Sequence, residues 1–280
     1  MFLRYILAYL LFSLTTLCLA QKVLPRRLIT IGSAVSETVC ALDHCDDIIA
    51  VDSTSQYPAA LKKRATLGYY RSLSIEGILS KRPDMIIAAD DIKPPAVASQ
   101  LKKTGITLHL VDNSKTLAGA LQRIKAIGSV LKENARANTL VAGIKKQMKL
   151  LKSRVDKMTT KPKVLFIYAR GANQLQVAGR DTAAATMISL SGGVPIFNEF
   201  SGYKPLTEES LVKANPDIVV LTDRGAGSIG NGIKGLENIP GMKLTKAGRE
   251  QRYVTIDDVL FLGFGPRIGL AVETLYEAIK

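Results

Sequence analysis

The residues with the clearest chemical potential are two adjacent phenols and a guanidinium, those of Tyr69, Tyr70 and Arg71. Such a cluster is unusual in a chain that holds nine Tyr and no Trp. A phenol titrates near pH ~10 in water, and a neighbouring cation favours its anionic form. A phenolate is a hard oxygen donor that suits ferric iron. The residues alone leave two interpretations open: a ligand of ferric iron, or aromatic packing beside a surface arginine.

A loop, a short helix and a strand are predicted to position this cluster. Gly68 permits a tight turn, and Ser74 is placed to cap a helix that contains the apolar residue Ile78. Pro83 ends that helix, because the residue before a proline avoids the helical conformation. The apolar run 85–89 that follows is typical of a buried parallel strand. We therefore expect the cluster on a loop beside a parallel sheet, where open α/β folds bind ligands.

The same helix–strand pattern recurs once along the chain, 133 residues later, when Leu206 is aligned with Leu73 (206 − 73). The matching positions are Ser74 with Thr207, Glu76 with Glu209, Ile78 with Leu211, and Pro83-Asp84 with Pro216-Asp217. A repeat over this distance indicates two similar lobes rather than a solenoid of short units.

The pattern between and around the two repeats predicts an α/β fold with two Rossmann-like lobes. A strand–helix–strand order over 27–52 predicts a mainly parallel sheet, and a second series of strands begins at Lys163. Between them, 116–158 lacks strand signals and spaces its apolar residues as a helix does, which predicts a long helix joining the lobes and a modest opening motion. The predicted segments are a signal peptide (1–20), an N-terminal lobe (21–115), a helical linker (116–160) and a C-terminal lobe (161–280).

The repeated Ser/Thr-x-Glu and Pro-Asp pattern, together with the Gly-Tyr-Tyr-Arg loop at 68–71, resembles the haem-binding periplasmic proteins of bacterial haem-uptake ABC transporters. These belong to the wider group of solute-binding proteins for siderophores, cobalamin and haem. Two further segments share the resemblance: Ala-Gly-Arg-Asp-Thr-Ala-Ala at 178–184 and Gly-Phe-Gly-Pro-Arg at 263–267. The resemblance covers nearly the whole chain after the signal segment.

The resemblance implies a haem site between the lobes. Tyr69 would bind the iron of haem b (Fe(III) protoporphyrin IX) as a phenolate, and Arg71 would donate a charge-assisted hydrogen bond to it. Arg224 would act from the second lobe on the phenolate or on a propionate. Some members of the family add a His from the second lobe, but the corresponding segment 168–173 has none. This difference argues against six-coordinate Tyr/His iron.

The resemblance also implies a partner, an inner-membrane ABC permease. Glu76 and Glu209 would dock the protein on this permease, and the protein is expected to be a monomer. From the residues alone, each carboxylate is favoured in the first turn of its helix by the helix dipole, and both roles are compatible. Two alternatives stay open: a ferric siderophore or corrinoid as ligand, or a tetrapyrrole chelatase-type enzyme. The enzyme is disfavoured because neither His44 nor His109 lies where a metal-handling group is needed.

Residues 1–20 have the form of a secretory signal, with Arg4 before an apolar run that is shorter than the about 20 residues of a membrane span. We expect cleavage after Ala20 and a periplasmic protein. A lipid anchor on Cys18 is the alternative, although Leu17 fits that processing signal poorly.

The composition excludes some classes of function. The hydrophobic content of 47% excludes disorder. The whole chain carries 38 Lys and Arg against 24 Asp and Glu, and removal of the signal takes away only Arg4, which leaves a net charge of +13. The lysines are scattered without an aromatic–basic reader motif, so nucleic acid is not expected as a partner. A positive field favours an anionic ligand, and haem carries two propionates.

Cys40 and Cys45 are the cysteines that follow the signal segment. A disulfide is compatible with an oxidising compartment. On an unbroken helix the two side chains would point in different directions, whereas a break near Asp43 would bring them together. The sequence leaves the disulfide open.

Overall fold

The computed structural model describes residues 27–172 and 174–280, so the predicted signal segment 1–20 lies outside the described residues. The strands are β1 (Leu28–Ile31), β2 (Ile48–Val51), β3 (Ala65–Thr66), β4 (Met85–Ala89), β5 (Thr107–Val111), β6 (Lys163–Ala169), β7 (Leu175–Ala178), β8 (Val194–Pro195), β9 (Tyr203–Pro205), β10 (Ile218–Thr222) and β11 (Tyr253–Ile256). The α-helices are α1 (Ser33–Ala41), α2 (Ile75–Leu79), α3 (Pro95–Lys102), α4 (Leu117–Leu131), α5 (Asn134–Val155), α6 (Ala183–Leu190), α7 (Glu208–Ala214), α8 (Asp223–Ser228), α9 (Lys246–Arg249), α10 (Asp258–Gly263) and α11 (Ile268–Ile279). Short 3₁₀ helices cover Ala59–Lys63, Gly232–Asn238 and Met242–Leu244.

The first lobe contains a parallel sheet in the strand order β3-β2-β1-β4-β5. Its central strands are apolar except for the buried Thr30, because both faces are covered. Ile29 and Ile86 belong to one cluster with residues of α2 and α3, while Leu28 and Ile87 pack with α1 and α4. This burial on both faces explains the uninterrupted apolar runs from which the strands were predicted.

The second lobe contains a mixed sheet in the order β11-β10-β6-β7-β9, with β8 also paired to β6. Strands β6, β8, β10 and β11 are parallel, and β7 and β9 add an antiparallel edge. One face packs on α6, α10 and α11, and the other on α7 and α9. The predicted class, two α/β lobes with mainly parallel sheets, is confirmed.

The predicted long connecting helix is α5. Its buried residues follow the helical repeat, and they are Ala137, Val141, Ile144, Met148, Leu151 and Val155. The largest core cluster joins the first five of these residues to both sheets, for example to Ile87 of the first and Phe166 of the second. The lobes therefore share a continuous core and are not joined by a loose tether.

Two local predictions need correction or completion. The glycine-rich sequence of 222–230 predicts a loop, but the segment contains the short helix α8, which Thr222 caps by accepting a hydrogen bond from the Gly225 amide at 3.1 Å. Its short polar sequence has no apolar period by which to predict a helix. Cys40 and Cys45 form a disulfide with a Cα–Cα distance of 4.1 Å, and the left-handed residue Asp43 (φ 73°) turns the chain between them.

Over residues 27–172 and 174–280, none of the helices has both the length and the hydrophobicity needed to span a bilayer.

Candidate functional site

The loop that carries Tyr69 follows β3 and is fixed at the carboxyl edge of the first sheet. Gly68 has φ +82°, and a Cβ at this position would meet no atom within 4 Å, so the backbone conformation and not a lack of space requires glycine. Lys93 donates its backbone N–H to the carbonyl of Tyr70 at 3.0 Å and accepts from the amide of Leu73 at 3.1 Å. The amide of Ser53 donates to the carbonyl of Gly68 at 2.8 Å. The loop is thus held by segments that follow two other strands of the sheet.

Tyr69 is the accessible phenol of the pair. Its side chain is 36% exposed, whereas Tyr70 is half-buried and packs against the core of the first lobe. The two rings meet edge to face with their centroids 5.0 Å apart. Tyr70 therefore links the Tyr69 ring to the core of the first lobe.

In the structure Arg71 is hydrogen-bonded to Tyr70, and its expected hydrogen bond to the Tyr69 phenolate stays a prediction. Its Nε donates to the phenol oxygen of Tyr70 at 2.9 Å, and its Nη2 lies 3.6 Å from Oδ2 of Asp91. Asp91 is fixed in turn by the Asn113 side-chain amide, which donates to Oδ1 at 2.7 Å. Burial, and next the charge of Asp91, raise the pKa of Tyr70 to about 12 although Arg71 acts to lower it. Tyr70 is consequently a neutral phenol near pH ~7.

A second guanidinium, that of Arg170, approaches Tyr69 from the other lobe. Arg170 directly follows β6, and its Nη2 and Nε donate to the hydroxyl of Tyr168 at 3.1 and 3.3 Å. The Tyr168 hydrogen bond and charge, and further the charge and hydrogen bonding of Tyr69, raise the pKa of Arg170. The adjoining concavity has a volume of about 240 Å³ and is lined by Tyr168, Arg170, Gln174, Leu175, Gln176 and Pro205.

Tyr203 on the edge strand β9 completes the aromatic surface of the second lobe. Its ring centroid lies 5.6 Å from that of Tyr168. Desolvation, and next the charge of Tyr168, raise the pKa of Tyr203 to about 12, while the charge of Arg71 acts in the opposite direction. The influence of Arg71 and of Tyr70 on Tyr203 places these groups within electrostatic reach across the cleft.

Arg224 contacts a carboxylate in the structure, and its expected action on the phenolate or on a propionate stays a prediction. It is the second residue of α8, and its Nε lies 3.2 Å from Oδ2 of Asp258 at the start of α10. The structure thus pairs it with a carboxylate of its own lobe. Its side chain is 67% exposed, so an anionic ligand group has access to the guanidinium.

Sequence reasoning missed three residues of this site, Tyr168, Arg170 and Tyr203. The sequence could have indicated the first two, because both lie at the carboxyl end of the strand that begins at Lys163. This is the same topological position as that of the Tyr69 loop. Tyr203 lies on a three-residue strand, and nothing in its local sequence indicates that it faces the cleft.

Glu76 and Glu209 occupy equivalent positions, as the repeat predicted. Each is the second residue of a short helix, α2 or α7, and each is exposed. The Ser74 hydroxyl accepts from the Gly77 amide at 3.2 Å and donates to Oε2 of Glu76 at 2.7 Å, which lowers the pKa of Glu76. In α7, Thr207 caps by accepting from the backbone amide three residues on at 3.1 Å.

The family model for periplasmic binding proteins matches residues 28–260. The chain belongs to the periplasmic binding protein family.

Three solved structures share its fold over nearly its whole length. Periplasmic haem-binding protein RhuT from Roseiflexus sp. RS-1, in the apo form, is 33% identical, with a TM-score of 0.87 over 91% of this chain and 99% of that one. Periplasmic haem-binding protein BhuT, in complex with two haems, is 34% identical, with a TM-score of 0.86 over 90% and 97%. The haem-binding protein HutB of Vibrio cholerae is 30% identical, with a TM-score of 0.79 over 89% and 97%.

Curated relatives widen the range of ligands in this family. An uncharacterised ABC transporter substrate-binding lipoprotein, YvrC of Bacillus subtilis strain 168, is 25% identical over 91% of this chain and 80% of its own. A vitamin B12-binding protein of Pectobacterium atrosepticum is 23% identical over 92% and 90%. The resemblance to periplasmic haem-binding proteins, within the siderophore, cobalamin and haem group, is confirmed. The choice of ligand depends on the residues of the cleft.

Proposed function

We propose that the protein captures haem in the periplasm, between its two lobes, and delivers it to an inner-membrane ABC permease. The observation that carries this proposal is the exposed phenol of Tyr69 opposite the Arg170 guanidinium of the other lobe. A hard oxygen donor and a cation that stabilises its negative charge suit ferric iron. The similar structures named for haem binding, at 30–34% identity, support the same ligand.

Each residue then has a distinct role in holding haem b. Tyr69 binds Fe(III) as a phenolate, and Arg170 stabilises the phenolate charge. Tyr70 and Tyr203 stay protonated and offer neutral aromatic surfaces to the porphyrin. Arg71 acts through Tyr70, whose hydroxyl it fixes.

The charges around the cleft suit the two haem propionates. Arg224 is exposed and available to an anionic group, and the chain after the signal has a positive net charge. This field accelerates the capture of a dianionic ligand and weakens as salt is added.

A corrinoid is the second candidate ligand, because curated relatives of similar length are vitamin B12-binding proteins. The Tyr69 site favours haem over it, since a phenolate matches a ferric centre better than it matches a corrinoid with its own axial base.

A titration of the mature protein with hemin, followed by visible absorption and repeated with cyanocobalamin, tests the proposal. We expect saturable hemin binding that Tyr69→Phe weakens at least about 100-fold. Tyr70→Phe is the matched control, because it removes a hydroxyl from the same loop, and it should retain binding within about fivefold. Binding of cyanocobalamin without hemin binding would show that the bound molecule is a corrinoid and not haem. Loss of hemin binding in Tyr70→Phe alone would show that Tyr70, and not Tyr69, binds the iron.

Glu76 and Glu209 are proposed to dock the loaded protein on the permease. Their equivalent, exposed positions in two related helices match a partner with two-fold symmetry. The double variant Glu76→Ala/Glu209→Ala should bind hemin normally and lose haem uptake in a reconstituted transport assay. Glu208→Ala, at the adjacent exposed acid of α7, is the control and should transport normally. Full transport by the double variant would exclude docking through these residues.

A further inference from the structure

The segment 263–267, from the last residue of α10 to the residue before α11, is held by two buried side chains of other elements. Glu37 of α1, with a side chain only 5% exposed, accepts hydrogen bonds from the backbone N, Nε and Nη2 of Arg267 at 3.1, 3.0 and 3.0 Å. Arg123 of α4 is 1% exposed and donates from Nη2 to the carbonyl of Phe264 at 2.8 Å. We call residues 263–267 the anchor segment. In the sequence, this segment pointed to haem; in the structure, its arginine binds a carboxylate of the first lobe.

The backbone of the anchor segment is shaped for this contact. A Cβ on Gly265 would lie 3.1–3.3 Å from the carboxylate atoms of Glu37, so glycine lets the chain approach the carboxylate closely. Phe264 is fully buried in the core cluster that contains residues of both sheets, and it has a left-handed φ of 58°. Both the packing and the polar contacts therefore tie the second lobe to the first at this point.

The anchor segment also reaches the elements that carry the loop of Gly68 to Arg71, here called the ligand loop. Nη1 of Arg123 donates to the carbonyl of Asp112, just after β5, at 2.6 Å. The neighbouring Asn113 holds Asp91, which pairs with Arg71. On the other side, the guanidinium carbon of Arg267 lies 3.4 Å from the ring centroid of Tyr57, in the segment that leads to β3 and the ligand loop.

We infer that the anchor segment, with Glu37 and Arg123, sets the separation of the lobes and hence the distance between Tyr69 and Arg170. Glu37 and Arg267 are in this account positioning residues for ligand capture, although neither contacts the ligand. The assignment to ligand capture rests on the proposed function, whereas the effect on lobe separation does not. A buried carboxylate that keeps three hydrogen bonds from one residue fixes orientation strictly, because each donor restricts a different direction.

A double-mutant cycle on hemin affinity tests the link to the site. Arg170→Met should weaken hemin binding about tenfold in the wild-type background. In the Glu37→Gln background the same change should cost less than about threefold, because the lobes no longer hold Arg170 against Tyr69. A merely structural role for Glu37 predicts equal losses in both backgrounds, and that result would overturn the inference.

A distance measurement without ligand separates this inference from the proposed function. Spin labels on Lys62→Cys and Lys234→Cys, exposed positions in the two lobes, report the separation by electron–electron double resonance. Glu37→Gln should broaden or shift the distribution, whereas Arg136→Gln, in an exposed ion pair with Asp43, should leave it unchanged. If hemin fails to bind the wild type but Glu37→Gln shifts the distance, the proposed function fails and the anchor stands.

An unchanged distance in Glu37→Gln would overturn the anchor whatever the ligand. If Glu37→Gln does not fold, Arg267→Lys keeps the charge and loses the planar pair of donors, so it takes its place in both experiments. Arg267→Lys should shift the spin-label distance, and it should reduce the loss of hemin affinity caused by Arg170→Met. The absence of one of these two effects would contradict the inference.

Discussion

The two lobes differ most where they face each other across the cleft. In the first lobe a wholly parallel sheet carries the Tyr69 loop, and its guanidinium, Arg71, is tied to Tyr70 and Asp91. In the second lobe a mixed sheet presents Tyr203 on an antiparallel edge, and its guanidinium, Arg170, reaches toward Tyr69. In the proposed function, the first lobe thus supplies the oxygen donor for iron, and the second supplies the charge that stabilises it.

The lobes are alike at the repeated helices. The carboxylates of Glu76 and Glu209 occupy the same position of α2 and α7, each after a hydroxyl cap. The lobes are alike at the helices where a symmetric partner is expected to dock. They differ at the residues that are proposed to hold one ligand from both sides. The following predictions test this division.

The largest expected difference concerns the two cleft arginines. Arg170→Met should weaken hemin binding about tenfold, because it removes the cation beside the phenolate. Arg71→Met should weaken it about threefold or less, because Arg71 acts only by fixing Tyr70. Hemin titrations of both variants give the two ratios, and a larger loss for Arg71→Met would reverse the roles assigned to the lobes.

The helix caps should show the opposite pattern, equal effects in the two lobes. Ser74→Ala and Thr207→Ala each remove a side-chain acceptor from a helix amide, and each should lower the free energy of unfolding by about 1 kcal/mol. Urea unfolding followed by circular dichroism measures both. A loss confined to one variant would show that the repeated helices are not equivalent in stability.

The smallest expected effect is a difference in pH dependence between one lysine associated with each lobe. Burial, and next the charge of Arg123, lower the pKa of Lys115 to about 8, whereas hydrogen bonding and charge from Asp217 raise the pKa of Lys246. Between pH ~8 and the ordinary lysine value near ~10.4, the unfolded chain holds more protons at Lys115 than the folded chain, so stability rises with pH. The contribution of Lys246 is present below its unfolded pKa and is lost as the pH rises through its folded one.

Unfolding curves between pH ~7 and ~10 check the sign for Lys115, while the contribution of Lys246 stays nearly constant over this range. Lys115→Met should flatten the rise in stability above pH ~8, and Lys246→Met should leave that rise intact. An unaltered rise in Lys115→Met would show that burial does not lower the pKa of Lys115.

The sequence was sufficient for the scaffold because the relevant signals are local. The apolar runs of the buried strands and the caps at Ser74 and Thr207 are each set by neighbouring residues, whereas the sequence leaves the break at Asp43 open. The partners of the cleft residues are not local. Arg71 turns to Tyr70 because Asp91, which arrives on the loop after β4, holds its other side.

The second-lobe half of the site required the structure for the same reason. Arg224 and Asp258 are distant in sequence, and their pairing depends on the relative positions of α8 and α10. Tyr203 reaches the cleft only because β9 adds an antiparallel edge next to β7. The pairing of such an edge strand depends on the tertiary structure. A strand of three residues is too short to show the alternating pattern from which a strand is predicted.

The visible spectrum of the ferric haem complex in wild type, Tyr69→Phe and Tyr203→Phe tests whether Tyr69 binds the iron. We expect a phenolate-to-iron charge-transfer band in wild type and in Tyr203→Phe, and its loss in Tyr69→Phe. A band that persists in Tyr69→Phe and disappears in Tyr203→Phe would contradict it, because the iron would then be bound by the second lobe.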